Sequence, residues 1–141
     1  MSGDKIAVLD ERLPNDVAAI GAFAERVEEF CAEADVPMSV VFQLNLAIDE
    51  LATNIIFYGW DDAAPHELHI RLDRAPDRLT VLIEDDGRPF NPLDKPVPDT
   101  TTAIEDRPIG GLGIHFVREF ATAVAYERVD GHNRLTIEKQ L

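Results

Sequence analysis

The chain has 141 residues, 45% of them hydrophobic, with 27 acidic against 13 basic side chains and a formal net charge of −14. That length suits one domain with a single core, residues 1–141, and that charge argues against nucleic-acid and anionic-membrane partners, which are bound through Lys and Arg. If a polyanion such as a nucleotide binds, backbone N–H groups, a metal or a few placed cations must receive it. The single cysteine, Cys31, falls at an apolar position of a helical pattern and is expected to be a buried thiol. Met1 to Leu13 carry no signal-like organisation and nothing is expected to approach membrane-spanning length, so a cytoplasmic protein is expected.

Lys5 to Leu9 form a short β-prone segment before the breaker Leu13-Pro14-Asn15. Val17, Ile20, Ala24, Val27, Cys31 and Ala34 then recur at steps of three and four, with Phe23 and Phe30 widening the stripe. This predicts an amphipathic helix capped by Asn15, with Asp16 in its first turn. Its polar side, Glu25, Arg26, Glu28, Glu29 and Glu33, reads as a solvated face. Pro37 ends it, and Ser39 is the expected N-cap of a second helix. There Leu44, Ile48, Leu51 and Ile55 share the core face. Glu50 and Asn54 stack one turn apart on a neighbouring face, with Ala47 leaving space beside them. A carboxylate next to a carboxamide offers an acid or base and a neutral oxygen ligand. It is also what an ordinary solvated helix face looks like.

Trp60 to Pro65 is a loop, with Trp60 expected at the rim of the core. Leu68, Ile70 and Leu72 alternate with Glu67, His69, Arg71 and Asp73, which predicts a strand with one buried face and His69 turned to solvent. After a turn at Arg74 to Asp77, Leu79, Val81 and Ile83 repeat the pattern, so the two strands make an antiparallel hairpin. Asp85 continues the inward parity. A carboxylate there needs a partner, either a backbone group at the Asp86-Gly87 turn or the amino group of a ligand. Pro92 to Pro108 lack periodicity, as expected of a lid, a binding loop or disorder. Gly110-Gly111-Leu112-Gly113 then precedes Ile114, Val117 and Phe120 at helical spacing. A glycine-rich loop opening a helix suits a phosphate, though close backbone packing accounts for the glycines equally well. Two further strands around Asp130-Gly131 close the chain as a hairpin.

Several chemistries are excluded. No Gly-Lys-Ser/Thr is present, no GxGxxG follows a first strand, and no Gly-x-Ser-x-Gly occurs. One cysteine and four scattered histidines do not supply a zinc site. What remains is an ordered set: Glu50-x-x-x-Asn54 on a helix, Asp85-x-Gly87-x-x-Phe90 after a strand, a long loop, then Gly111-x-Gly113 at a helix start. In that set the sequence resembles the GHKL nucleotide-binding fold of histidine kinases, gyrase and MutL. It is most similar to the stand-alone anti-sigma factors with serine kinase activity, the RsbW and SpoIIAB type, from the first helix through Asn133 to Lys139.

The resemblance implies an α/β two-layer sandwich of the Bergerat type, a mixed, mostly antiparallel sheet with helices on one face and a lid over about residues 91–110. It implies ATP and Mg²⁺, with Asn54 on the metal, Glu50 as general base, and Asp85 reading the adenine amino group. Gly87 would allow close approach of the ligand, and Phe90 with Ile83 would line the base pocket. Gly110, Gly111, Leu112 and Gly113 would form the lid hinge and phosphate loop, with Arg107 near the γ-phosphate. Pro89 stands where many relatives have a second glycine, which stiffens that turn. The function implied is an ATP-dependent serine/threonine kinase of a partner-switching system. It would phosphorylate a STAS-type antagonist and sequester a sigma factor or another effector, with a homodimer supported by exposed apolar positions of the first helix. A nucleotide-gated binding module without catalysis and a histidine-kinase-like catalytic domain are the alternative readings.

Overall fold

A computed structural model describes residues 6–62, 64–94 and 111–141. Its strands are β1 (Ala7–Pro14), β2 (Glu67–Ala75), β3 (Arg78–Asp85), β4 (Ala123–Val129) and β5 (His132–Gln140), and its helices α1 (Val17–Glu33), α2 (Met38–Tyr58) and α3 (Gly111–Phe120). The strands form one sheet in the order β1-β2-β3-β5-β4, and every described pairing is antiparallel, in line with the mostly antiparallel sheet expected. Each neighbouring pair except β1-β2 and β3-β5 is a hairpin of sequential strands, which antiparallel pairing allows with a tight turn.

Alternation decides which face is covered. Leu68, Ile70 and Leu72 of β2, Leu79, Val81 and Ile83 of β3, and Leu135 and Ile137 of β5 are all buried. Onto them pack Ile20, Phe23, Val27 and Cys31 of α1, Leu44, Ile48 and Leu51 of α2, and Ile114 and Val117 of α3, with α2 in the middle. This is the two-layer α/β arrangement, helices on one face. The other face carries a cross-strand row of Arg12, His69, Glu84, Arg134 and Glu127. Arg134 lies 2.9 Å from Glu84, and His69 lies 2.6 Å from Asp10. His69 is therefore half-buried among carboxylates rather than simply solvated. Such partly exposed pairs each contribute about 0–1 kcal/mol.

Local chemistry corrects several boundaries. β1 reaches Pro14 because an edge strand tolerates a proline at its end. The N-cap of α1 is Asp16, whose carboxylate accepts from Ala18 N–H at 3.0 Å. Asn15 instead ties the chain to His66, through its N–H to the His66 carbonyl (3.0 Å) and from the His66 N–H to its Oδ1 (3.3 Å). α2 starts at Met38, so Ser39 lies inside its first turn; Pro37 leads in, its carbonyl accepting from Val40 and Val41. At 21 residues, α2 is long and apolar enough by length and composition to cross a membrane, contrary to expectation. Its buried residues, Val40, Val41, Leu44, Ala47, Ile48, Leu51 and Ala52, belong to the core under the sheet. Among the described residues, the large exposed apolar side chains of the helices stand mainly on α2, with only Val17 on α1.

Candidate nucleotide site

A cavity of about 560 Å³ opens between the C-terminal half of α2, the end of β3 and β5. That volume is in the range of small-molecule sites. Leu51 and Ile55 of α2, Ile83 of β3 and Leu135 of β5 give it apolar walls. Asp85, Asn54 and Asn133 supply polar groups. Few polar groups converging in an apolar recess is how a pocket fixes the orientation of a flat heterocycle.

Asp85 is only 5% exposed. Its Oδ1 accepts from the Gly87 N–H at 2.8 Å and from Asn133 Nδ2 at 3.1 Å. Of the two partners expected from the sequence, the backbone turn is present: Gly87 N–H and Asn133 share Oδ1, and among the described residues no donor reaches the other oxygen. Burial pushes the carboxyl above its usual range, the hydrogen bonds from Asn133 and Gly87 pull it down, Asp86 raises it and Arg128 lowers it. A buried carboxylate with a spare acceptor is a receptor for a donor such as an exocyclic amino group.

Asn133 holds this corner together. Its Nδ2 also donates to the Arg88 carbonyl (2.8 Å), and its Oδ1 accepts from Phe90 N–H (3.2 Å) and the Tyr126 hydroxyl (2.5 Å). Two donors and two acceptors are all used. Asn133 faces Asp85 across the β3-β5 ladder, at the same inward parity as Leu135 and Ile137. That parity was legible in the sequence, and it is the signal that marks a residue sequence reasoning passed over.

The turn after Asp85 is pinned to the end of α2. Arg88 N–H donates to the Gly59 carbonyl at 2.8 Å, Arg88 pairs with Asp61, and Trp60 Nε1 donates to Asp86 at 3.1 Å. Trp60 also stacks on His66, with ring centroids 4.4 Å apart and planes 1° apart. Trp60, Arg88 and Tyr126 all line the cavity and were not read as site residues. Gly87 is required by space: a Cβ there would lie 2.7 Å from the Gly59 carbonyl oxygen and 2.9 Å from Asp85 Oδ1.

The structure therefore brings Asn54, Asp85, Ile83 and Phe90 to one cavity, with Gly87 in its wall turn. Glu50 is half-buried one helical turn before Asn54 and is not among the residues lining the cavity. Gly111, Leu112 and Gly113 form the first turn of α3 rather than a loop before it. Arg107 and Gly110 lie outside the described residues, and the expected lid is described only to Asp94, through a single 3-10 turn, Pro92–Asp94. No group of three or more His, Cys, Asp or Glu side chains is arranged to hold a metal among the described residues.

Residues 13–139 match the family of histidine kinase-like ATPase domains. The serine/threonine-protein kinase BtrW of Bordetella bronchiseptica is 30% identical over 96 residues, 68% of each chain. The anti-sigma F factor of Clostridium novyi is 22% identical over 116 residues, 82% of this chain and 81% of that one. Among solved structures, the RsbU and RsbW domains of Rv1364c from Mycobacterium tuberculosis superpose with a TM-score of 0.70 at 14% identity, over 96% of this chain and 32% of theirs. The histidine kinase domain of the blue-light activated kinase of Erythrobacter litoralis EL346 gives 0.57 at 18% identity, over 91% of this chain and 61% of its own. These two structures share the fold, and the chain spans about a third of the Rv1364c structure. The sequence match over 127 residues, 13–139, and the BtrW relative place this chain in the histidine kinase-like ATPase domain family.

Proposed function

We propose that the chain is an ATP-dependent protein serine/threonine kinase of a partner-switching circuit, acting in the cytoplasm on a STAS-type antagonist and holding a sigma factor or similar effector in alternation. The observation that carries this reading is the cavity with Asp85 at its floor. Its apolar walls suit a purine ring, and the spare oxygen of Asp85 suits the adenine amino group. Guanine would present a carbonyl oxygen to the same carboxylate, an uncompensated repulsion.

The residues fit Mg²⁺–ATP. Asn54, on the cavity wall, is a neutral oxygen ligand of the kind that completes a magnesium shell otherwise made of phosphates and water. Bound there, the ion would supply neutralisation of phosphate charge. The first turn of α3, with its free N–H groups and positive dipole end, would receive phosphate oxygens at Gly111 to Gly113. In the transfer, the substrate Ser/Thr oxygen bonds to the γ-phosphorus, the bond to the β–γ bridging oxygen breaks, ADP leaves, and Glu50 takes the hydroxyl proton. A nearby carboxylate one turn from Asn54 is suited to that role without needing to line the base pocket.

The test is phosphorylation of purified STAS-domain proteins from labelled ATP, wild type against Glu50→Ala. Transfer by the wild type, lost in Glu50→Ala with partner binding retained, supports the kinase. Partner regulation that survives unchanged in Glu50→Ala leaves a nucleotide-gated binding module instead.

A further inference from the structure

Met38, Phe42 and Leu46 follow one another along α2 at steps of four residues and are 69%, 68% and 47% exposed. A row of three large apolar side chains in water is a feature of interaction surfaces, whereas a scattered exposed leucine is not. The same step leads on to Glu50 and then Asn54. Each step of four rises about 6 Å and turns about 40° past a full revolution, so the row winds from the outer surface of α2 toward the nucleotide cavity. Phe42 stands about 12 Å along the helix from Glu50.

The row has an acidic border. Asn45 Nδ2 donates to the Ala24 carbonyl at 3.4 Å, which sets the register of α1 against α2. Glu25 and Glu28, one and four residues beyond Ala24 on α1, and Asp49, four residues beyond Asn45 on α2, are all exposed. Apolar centre, acidic rim and a proposed general base at one end are the parts of a substrate track.

We propose that this row is the docking surface for the kinase's own protein substrate. The substrate would lay an apolar surface on Met38, Phe42 and Leu46, set Lys or Arg side chains against Glu25, Glu28 and Asp49, and thereby bring its Ser/Thr hydroxyl to Glu50. A second copy of this chain is a poor occupant, because a two-fold pairing through the row would oppose the same carboxylates in a protein of net charge −14. The inference rests on the kinase reading above and adds the surface by which the substrate is chosen.

The experiment uses the full chain and a purified STAS-domain protein that the wild type phosphorylates. Phe42→Glu, at a helix position 68% exposed, should raise KM for that protein by about tenfold or more while kcat at saturation and the affinity for ATP stay unchanged. Glu25→Lys with Glu28→Lys should slow association and flatten its salt dependence. An unchanged KM in Phe42→Glu overturns the proposal. So does a halved sedimentation mass in that variant, which would make the row an interface between copies. If the wild type phosphorylates no STAS-domain protein, the kinase reading falls first, and the variants are not needed to see it.

Discussion

Asn133→Ala removes one side chain and disturbs four groups at once. Asp85 Oδ1 and the Arg88 carbonyl lose a donor, and the Phe90 N–H and Tyr126 hydroxyl lose an acceptor. Neutral hydrogen bonds contribute about 0.5–1.5 kcal/mol each and one to a charged group about 1.5–3, so the gross loss is roughly 3–7 kcal/mol. The site faces a cavity that water can enter, which should recover part of it and leave a cost of about 2–4 kcal/mol. Urea unfolding at neutral pH measures this as a lower midpoint at constant slope. The pH dependence is a second signature. Asp85 is already above the usual carboxylate range, so its protonated form favours the folded state, and stability from this group rises as pH falls through its folded pKa toward the ordinary value. Losing the Asn133 donor raises that pKa further. The deficit of the variant should therefore be largest at neutral pH and shrink on acidification within that window. A loss under about 1 kcal/mol, or a deficit that grows with acid, would refute the claim that Asn133 supports a charged Asp85.

Other expectations are simpler. Gly87→Ala forces a methyl against a backbone carbonyl and the Asp85 carboxylate, so it should cost about 1–3 kcal/mol and weaken nucleotide binding, read by thermal shift with and without ATP; a neutral result would mean the turn is looser than its contacts. Cys31 is fully buried and desolvation pushes its thiol up to about 11, so the native protein should resist alkylation near pH 8 and react only on unfolding. Trp60→Ala removes the ring that ties Asp86 to His66, and should weaken ATP binding with little loss of core stability; binding at wild-type strength would restrict Trp60 to packing.

Much of the layer structure was legible because the alternation in β2 and β3 and the three-four spacing in α1 and α2 are strong and uninterrupted. Asp85 stood out for the same reason, as the one carboxylate on the inward parity of β3. What escaped reading was local or distant. Asp16 displaced Asn15 as the cap because Asn15 is taken by His66, fifty-one positions away. The sheet's strand order could not be seen in the chain, so Asn133 was not placed beside Asp85 even though its own parity pointed inward. Trp60, Arg88 and Tyr126 reach the cavity from three separate segments, and no spacing rule joins them.

The central claim is that Asp85 reads adenine. Calorimetric titration with ATP and Mg²⁺, wild type against Asp85→Asn, tests it most directly. The asparagine can still accept from Gly87 N–H and Asn133 through its oxygen, so the variant should fold with stability within about 1 kcal/mol of wild type. It would meet the adenine amino group with a second donor, and the account predicts binding in the wild type that disappears in the variant. No binding to the wild type, or equal binding to both, would contradict it.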